Sequence, residues 1–559
     1  MEIAGLAFGV VGVVGLCDAC LKLYDLVTVA QMYQEDREDF DIFLYYEKTR
    51  FSALKEEIEA MVKLSDLKLP DATSSEQSPP TTELSTSAAS EEDVFGDGRL
   101  KFIERILRQL SLRLQEAVDL RSKYDAEVSA GSTRTKFKPF SRLSKKLRPL
   151  RWAMEDKSTL DAIIQKLRYL NHCLQQQIPQ SSLPRLHLDF TAAQILAADP
   201  ARLRCIQDSS MRAGYDFLSK AATVRLASYG HETGGKESRD FHILPSDVKA
   251  LVTNKNELRY LTGHMQSTSM TVLIERRSGF QTATLPTTAA PRLNQLVRVL
   301  QSMYSLPGEA TNSRLMDFGI LQCIGWIIPE NQDYDTIDLV FSYPSNINSE
   351  PISMHTYLRL RSENSLPRNL AVWNRPPLGA RFKLAQSLVR LYANFISVGY
   401  VHRGISSHNI LFFADDINKP HLAGVAEARP QSIEHQSSYL STEYLDRELY
   451  WPWKTILRES SPKQDTESWS TATDLYGLGV VLVEVGLWRT AKHICGDCSM
   501  QDFHQTKLPQ AVEKLDYHMG EIYRDVVKRC FTVEKEAHEI ELHKHYSKMI
   551  LEQLELCLG

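Results

Sequence analysis

The chain has 559 residues, too many for one hydrophobic core, and this length predicts about two to four domains. Hydrophobic residues make up 43% and charged residues 24%, as in ordinary soluble globular proteins. The formal net charge of −5 argues against a whole-protein affinity for nucleic acid, and nine scattered cysteines indicate a reducing compartment rather than a disulfide framework.

The N-terminal segment MEIAGLAFGVVGVVGLCDACLKLYDLV is almost entirely apolar. It lacks a basic cluster, which argues against a secretory signal, and its uncharged run 3–17 is shorter than the roughly 20 residues that cross a bilayer as a helix. The segment is predicted to be a helix that is either buried in a bundle or able to enter a membrane. We expect a cytoplasmic protein, with recruitment to a membrane on activation left open.

Helical periodicity continues through most of residues 1–228, which are predicted to form an all-α helical bundle. Within this region, residues 66–97 are dense in Ser, Thr, Pro and acids and are predicted to be a disordered loop. A further helical stretch from about 191 to 228 completes the bundle, and the Gly-rich residues 229–240 are predicted to be a linker.

Residues 131–152 form a basic segment without a single acid. The segment is either a solvated connection between helices or a patch for anionic lipid, where each basic side chain contributes roughly 1 kcal/mol. Nucleic acid is the weaker alternative, because no groove-reading motif accompanies the charge. The basic side chains are Arg134, Lys136, Lys138, Arg142, Lys145, Lys146, Arg148 and Arg151.

Residues 241–559 contain six segments in a fixed order: MTVLIERRS, IDLVFSYP, RFKLAQSLVRLYANFISVGY with HRGISSHNILFF, LAGVAEARP, YLSTEYL and TATDLYGLGVVLVEVGLW. They resemble the phosphate-lysine strand, the hinge strand, the catalytic-loop helix and loop, the metal motif, the A-P-E motif and the buried large-lobe helix of protein kinases. The resemblance implies an α+β two-lobed protein-kinase-like fold, with a small lobe at about 241–345 and a large lobe at about 346–559.

The residues that perform phosphoryl transfer are replaced in this chain. Gly404 stands at the position of the catalytic aspartate, a loss that typically costs about 10²- to 10⁴-fold in rate. Gly424, Val425 and Ala426 stand in place of D-F-G, so the main Mg²⁺ ligand is missing. Asn409 is the remaining metal ligand, and one neutral amide holds Mg²⁺ poorly.

The phosphate-binding elements are also degenerate. Residues 241–271 contain only Gly263 where a glycine-rich loop is expected, and residues 276–308 contain no acid that could pair with a phosphate-binding lysine. Arg276 and Arg277 are the basic residues of the corresponding strand, and arginine is not a conservative replacement for lysine. Arg277 and Asn409 are therefore expected to be remnants of a nucleotide-binding site.

The loop residues His402 and Arg403, together with Glu443 and Asp474, resemble positions that hold the large lobe of kinases together. Architecture is kept while catalytic chemistry is lost, so the chain is predicted to be a pseudokinase, without enzymatic activity and without ATP or Mg²⁺ as cofactors.

The alternative is an atypical ATP-dependent protein kinase that uses displaced acids, namely Asp415, Asp416 or Glu427. Residues 317–319 do spell D-F-G, but they precede the catalytic loop by some eighty residues and are interpreted as part of a small-lobe strand region.

A C-x-x-C pair, Cys495 and Cys498, has His493 and His504 nearby. A zinc site normally needs four well-placed ligands, and no second pair follows. We interpret the segment as a loop with ordinary thiols and predict no metal.

The apolar start and the following EDREDFDIFLYYEKTRF helix resemble the HeLo domain of filamentous fungi, the prion-inhibition and propagation domain known from the HET-S incompatibility proteins. The resemblance covers about residues 1–225 and implies a helical bundle whose N-terminal segment can insert in a membrane when the protein oligomerises. Gly5, Gly9 and Gly12 are the candidate residues, because small residues let helices approach closely in lipid. The alternative is that this segment is simply the central helix of the bundle.

Together these resemblances predict a non-catalytic fungal signalling and cell-death protein of the heterokaryon-incompatibility type, in which a pseudokinase domain regulates a HeLo-like oligomerising or membrane-targeting bundle. A scaffold without membrane activity is a further alternative. Expected partners are a second copy of the chain, an upstream signalling partner and anionic membrane lipid, but not nucleic acid. HET-S carries an amyloid-forming C-terminal tail that has no counterpart here, so prion propagation is not expected.

Overall fold

The computed structural model describes residues 10–28, 37–67, 91–130, 157–178, 183–212, 215–229, 240–251, 260–278, 285–304, 316–329, 336–344, 347, 349–362, 375–414, 416–425, 428–430, 446–453, 470–532 and 539–557. Its contacts divide the chain into two compact units, Met1–Leu186 and His187–Gly559.

The first unit consists of helices. They are α1 (Val10–Thr28), α2 (Arg37–Leu67), α3 (Glu91–Ala130) and α4 (Lys157–Gln175), followed by the start of α5 (Leu183–Ile195). Helix α1 packs on α2 and α3, and α4 packs on the same two helices. The predicted all-α architecture of this region is therefore present.

Helix α1 buries one face in the bundle at helical spacing. The buried side chains are Val13, Leu16, Cys17, Cys20, Tyr24 and Val27. The acids of α1 lie outside this face, where Asp18 pairs with Lys55 at 2.5 Å and Asp25 pairs with Lys48, both lysines being on α2. Residues 13–27 thus pack as a helix of the bundle, the alternative that the sequence analysis left open beside membrane insertion.

Three sequence predictions of the first unit fall on residues outside the described ranges. They are Gly5 and Gly9, the basic segment 131–152, and most of the predicted disordered loop 66–97; of Gly12 only the backbone is described. The loop prediction was too long at both ends, because α2 continues to Leu67 and α3 begins at Glu91. Acidic residues such as Glu91 are favourable at a helix N-terminus, which explains the early start of α3.

No helix within the described ranges is both long and apolar enough to cross a bilayer.

The second unit opens with α5, α6 (Pro200–Arg212) and α7 (Asp216–Ser228). Helix α7 packs on α8 (Leu285–Met303), and the buried Arg225 donates to the carbonyl oxygens of Val398 at 3.3 Å and Gly399 at 3.4 Å. The contacts group α6 and α7 with the second unit, which begins at His187. The sequence analysis instead placed the domain boundary at the predicted linker 229–240. Helical periodicity shows that a helix has an apolar face but not which neighbour covers it. Residues 230–239 lie outside the described ranges.

A five-stranded antiparallel sheet follows. Its strands are β1 (Val248–Leu251), β2 (Tyr260–Met265), β3 (Met270–Ser278), β4 (Cys323–Ile327) and β5 (Thr336–Ser342). The spatial order is β1-β2-β3-β5-β4, and α8 lies between β3 and β4 in the chain. Val272 and Ile274 of β3 pack with Val340 of β5 in one apolar cluster.

The remainder of the second unit is mainly helical, with five short strands near its start. The helices are α9 (Met354–Ser362), α10 (Leu378–Ser397), α11 (Thr471–Leu487), α12 (Ala491–Cys495), α13 (Met500–Asp502), α14 (Leu508–Met519), α15 (Glu521–Phe531), α16 (Glu539–Tyr546) and α17 (Glu552–Glu555). The strands are β6 (Ile352–Ser353), β7 (Tyr400–Val401), β8 (Ile410–Phe412), β9 (His421–Leu422) and β10 (Arg429–Pro430). Helix α11 is buried along nearly its whole length, in agreement with its apolar sequence.

Candidate functional site

The loop between β7 and β8 carries His402, Arg403, Gly404 and Asn409, the residues compared with a kinase catalytic loop. Its start is held by Asp474 in the first turn of α11, whose side chain is 1% exposed. The backbone N–H of His402 donates to Oδ2 of Asp474 at 2.5 Å, and that of Arg403 donates to Oδ1 at 2.9 Å. Arg403 has φ of +64°, a left-handed conformation that a non-glycine residue keeps only where its surroundings fix it.

The amide side chain of Asn409 occupies the space around both degenerate positions. Its Nδ2 donates to the carbonyl oxygen of Gly404 at 2.5 Å, and its Oδ1 accepts from the hydroxyl of Tyr260 at 2.7 Å. A Cβ atom at residue 404 would lie 2.9 Å from Nδ2, and one at Gly424 would overlap the same amide. An aspartate at either position therefore requires Asn409 to move, and both ends of this amide are already engaged within the protein.

Glu275 is a buried acid of β3 that faces this loop. Its Oε2 accepts from the backbone N–H of Gly424 at 2.9 Å. Successive strand residues point to opposite faces, so the neighbouring Arg276 points away and makes two 2.9 Å hydrogen bonds to Asp338 of β5. This hydrogen bonding raises the pKa of Arg276. The side chain of Arg277 lies outside the described residues.

The sequence analysis missed Glu275, although it stands in the MTVLIERRS segment. The available signal was the strand alternation, which places residues 275 and 277 on one face and Arg276 on the other. The three consecutive charged residues 275–277 do not show by themselves which face of β3 meets the loop. In the structure Arg276 pairs with Asp338 of β5, and Glu275 lies on the face toward the loop.

Two tyrosines of the sheet region, Tyr260 and Tyr343, contact the loop and the residues that follow β8. Tyr260 of β2 reaches Asn409, as described above, and Thr262 of the same strand shares a 2.9 Å hydrogen bond with the hydroxyl of Tyr343, just after β5. The Tyr343 ring also meets Phe413 edge to face, with centroids 5.2 Å apart. Burial raises the pKa of Tyr343. These side chains tie the sheet to the segment that follows β8.

A second buried carboxyl supports the loop from α11. Oε1 of Glu484 accepts from Tyr450 at 2.8 Å, from Ser407 at 3.2 Å and from the backbone N–H of Ala491 at 2.7 Å. Burial raises the pKa of Glu484 to about 8. This residue, which the sequence analysis did not single out, joins the loop to the 3₁₀ helix Arg447–Tyr450.

The displaced acids of the atypical-kinase alternative are not brought to the loop where the structure describes them. Asp416 accepts from the backbone N–H of Asn418 at 3.0 Å and so stabilises a turn after β8. Asp415 and Glu427 lie outside the described residues, as do Ala426 and Glu443, while Val425 is described and buried.

The D-F-G sequence at residues 317–319 forms a tight turn before β4. Oδ1 of Asp317 accepts from the N–H of Gly319 at 2.9 Å, and the Phe318 ring is buried against Phe395. Gly319 has φ of +65°, and its carbonyl oxygen accepts from the N–H of Leu422. These contacts agree with the interpretation of this segment as structural.

The C-x-x-C thiols lie together without the two histidines. The sulfur atoms of Cys495 and Cys498 are 2.8 Å apart, and burial raises the pKa of Cys495 to about 12. His504 is engaged elsewhere, with Nδ1 at 2.6 Å from the hydroxyl of Tyr476 and Nε2 at 3.1 Å from the carbonyl oxygen of Glu448.

A small pocket beside the loop is lined by two arginines and by no acidic residue. It is lined by Arg403, Gly404, Ile405, Ser406, Asn409, Arg447, Tyr450 and Trp451. The nearby Arg429 of β10 has its pKa lowered to about 10 by burial and by the charge of Arg403.

Comparison with known families identifies the N-terminal part of the chain. Residues 5–204 match the HeLo family, described as prion-inhibition and propagation. This match supports the resemblance noted in the sequence for the N-terminal part of the chain. A comparison with curated proteins gave no match.

Proposed function

We propose that this protein is a non-catalytic fungal signalling and cell-death protein, in which a pseudokinase region regulates the HeLo domain. The HeLo match supports the general assignment to prion-inhibition and cell-death signalling. The regulatory role of the C-terminal region is the finer part of the proposal, and it rests on the surroundings of Asn409.

The observation that carries the proposal is the engagement of Asn409 between Gly404 and Tyr260. Asn409 is the single metal ligand that the degenerate motifs retain, and its amide oxygen already accepts from a phenol. Mg²⁺ is held through carboxylates and phosphates in near-octahedral geometry, which this amide does not supply.

The charge of Glu275 also opposes a nucleotide phosphate beside Gly424. Glu275 faces Gly424, where a kinase would bring a lysine and a metal to the phosphates. A carboxylate and a phosphate 4 Å apart repel each other by about 4 kcal/mol at the effective dielectric constant of a protein surface. A nucleotide would have to overcome this repulsion without a compensating cation from Arg276, which is held by Asp338.

The order of elements supports a kinase-like interpretation of the second unit. An antiparallel five-stranded sheet with one helix between β3 and β4 precedes a helical region, and the aspartate that begins α11 holds the loop between β7 and β8. The rival atypical kinase would need a replacement base and a replacement metal ligand, and the described candidate, Asp416, stabilises a turn instead.

A vesicle leakage assay separates the membrane-active protein from a scaffold. We expect the full chain to release dye from anionic vesicles, and Gly5→Leu/Gly9→Leu to reduce this release because bulky residues keep helices apart in lipid. Gly98→Leu is the matched control, since Gly98 on α3 has open space around it. Absence of leakage with every lipid composition would contradict the membrane role and favour the scaffold.

The regulatory role is tested by releasing Asn409. If the C-terminal region restrains the HeLo domain, Asn409→Ala removes the bond between Tyr260 and the loop and increases leakage. Asn418→Ala, in the exposed turn after β8, is the control. Equal leakage from the wild type and both variants would contradict regulation through this contact.

A further inference from the structure

Three potential metal ligands from distant parts of the chain converge beside the loop. His355 lies in the first turn of α9, His408 belongs to the 3₁₀ helix Ser407–Asn409, and Asp446 directly precedes the 3₁₀ helix Arg447–Tyr450. One ligand atom of each lies within 4.8 Å of the other two, and all three side chains are half-buried. Among the described residues, these three side chains form a group whose ligand atoms are close enough to hold a metal ion.

The two imidazoles are stacked, with ring centroids 3.7 Å apart and ring planes at 20°. The in-plane lone pairs of two nearly parallel rings do not meet, so one ring must turn out of the stack before both imidazoles can bind the same ion. The three ligand atoms already lie within 4.8 Å of one another, and binding would set the final orientation of the rings.

His355 offers a buried ring nitrogen as a ligand. Its Nδ1 is buried and makes no hydrogen bond to any described residue, although buried polar atoms nearly always have a partner. A bound cation would satisfy this nitrogen.

Asp446 supplies the negative charge. Its present partner is Lys492, whose side chain is 67% exposed, at 3.2 Å. Ion pairs with an exposed lysine contribute little, so a metal ion can displace this contact at small cost. Arg359 and Lys492 are the cations that act on His355, and Asp446 is the anion that opposes them.

We propose that His355, His408 and Asp446 form a binding site for Zn²⁺, with a water molecule as the fourth ligand. Two imidazole nitrogens and one carboxylate oxygen are ligands that Zn²⁺ takes in proteins, and hard cations such as Mg²⁺ favour all-oxygen sites. The ion would join α9, the loop that carries Asn409 and the residues around Asp446. It would thereby hold the end of the loop at His408, whereas Asp474 holds its start at His402 and Arg403.

Metal binding is measured on the full chain after treatment with a chelator. Titration with Zn²⁺ alone, followed by calorimetry, should give one site per chain that depends on the three residues. Asp446→Asn and His355→Ala should each weaken binding at least about tenfold, the lower end of the loss seen even for residues that only support metal ligands. Cys495→Ser/Cys498→Ser and His493→Ala are the controls and should leave this site unchanged.

Substitution with Co²⁺ identifies the ligands independently of affinity. The expected spectrum has visible ligand-field bands without the near-ultraviolet sulfur-to-cobalt charge transfer that thiolates give. Absence of a site in the wild type, loss of the site in the cysteine variant, or unchanged binding in Asp446→Asn would overturn the proposal. If His355→Ala fails to fold, Asp446→Asn decides the matter, because Asp446 is partly exposed and its amide keeps the shape.

Discussion

The side chain of Asn409 occupies the space beside both Gly404 and Gly424. Its amide contacts Gly404, and a Cβ atom at Gly424, which has φ of +78°, would overlap it. The motif spacing predicts glycines at both of these positions where protein kinases carry aspartates. The use of the space beside them by Asn409 could not be predicted, because Tyr260 comes from a strand whose distance from the loop is set only by the folded chain.

At Glu484 the buried carboxyl predicts a pH dependence of stability. Its pKa rises from 4.5 to about 8 on folding, so between these values the folded protein binds a proton that the unfolded chain releases. The stabilisation is complete below 4.5, is lost as the pH rises to about 8 and then stays constant. We expect Glu484→Gln, which resembles the protonated form, to remove this decline in thermal stability measured at several pH values.

The control for this substitution is an exposed glutamate of the same region, Glu513, whose change to glutamine should leave the decline intact. An equal decline in the wild type and in Glu484→Gln would show that another group is responsible.

At the scale of elements, strong periodicity predicted several helices and strands of the second half of the chain. Helix α10, the loop after β7 and helix α11 all lie where the sequence placed them. The partner of α7 was not predictable, because its contact with α8 and the bonds of Arg225 to the backbone near Gly399 join segments far apart in sequence. The three proposed metal ligands were missed for the same reason.

Helix α1 offers a direct test of bundle packing on one element. Leu16 is fully buried, whereas Leu26 on the same helix is 54% exposed. Leu16→Ala should lower the free energy of unfolding by about 2–5 kcal/mol, while Leu26→Ala should change it by no more than about 0.5 kcal/mol. Urea unfolding of the full chain, followed by circular dichroism, measures both.

Equal effects of the two substitutions would contradict the packing of α1 in the bundle. If α1 leaves the bundle during activation, Leu16→Ala also lowers the cost of its release, and this variant should cause more vesicle leakage than Leu26→Ala.

At the scale of the whole molecule, an N-terminal part that matches the HeLo family precedes a C-terminal region in which Tyr260 of the sheet contacts Asn409 of the loop. The HeLo match ends at residue 204, whereas the contacts divide the chain after Leu186. Helix α5 therefore lies within the matched sequence and spans the point at which the contacts divide the chain.

The central claim is that the C-terminal region works without nucleotide, and a thermal melt of the full chain with and without Mg²⁺ and ATP tests it. A ligand at 100 times its dissociation constant adds about 2.7 kcal/mol to the stability of the state that binds it. We predict no shift of the transition, since the amide of Asn409 is hydrogen-bonded within the protein and Glu275 places an acid at Gly424. A clear Mg²⁺-dependent increase would contradict the account and favour a nucleotide switch or an atypical kinase.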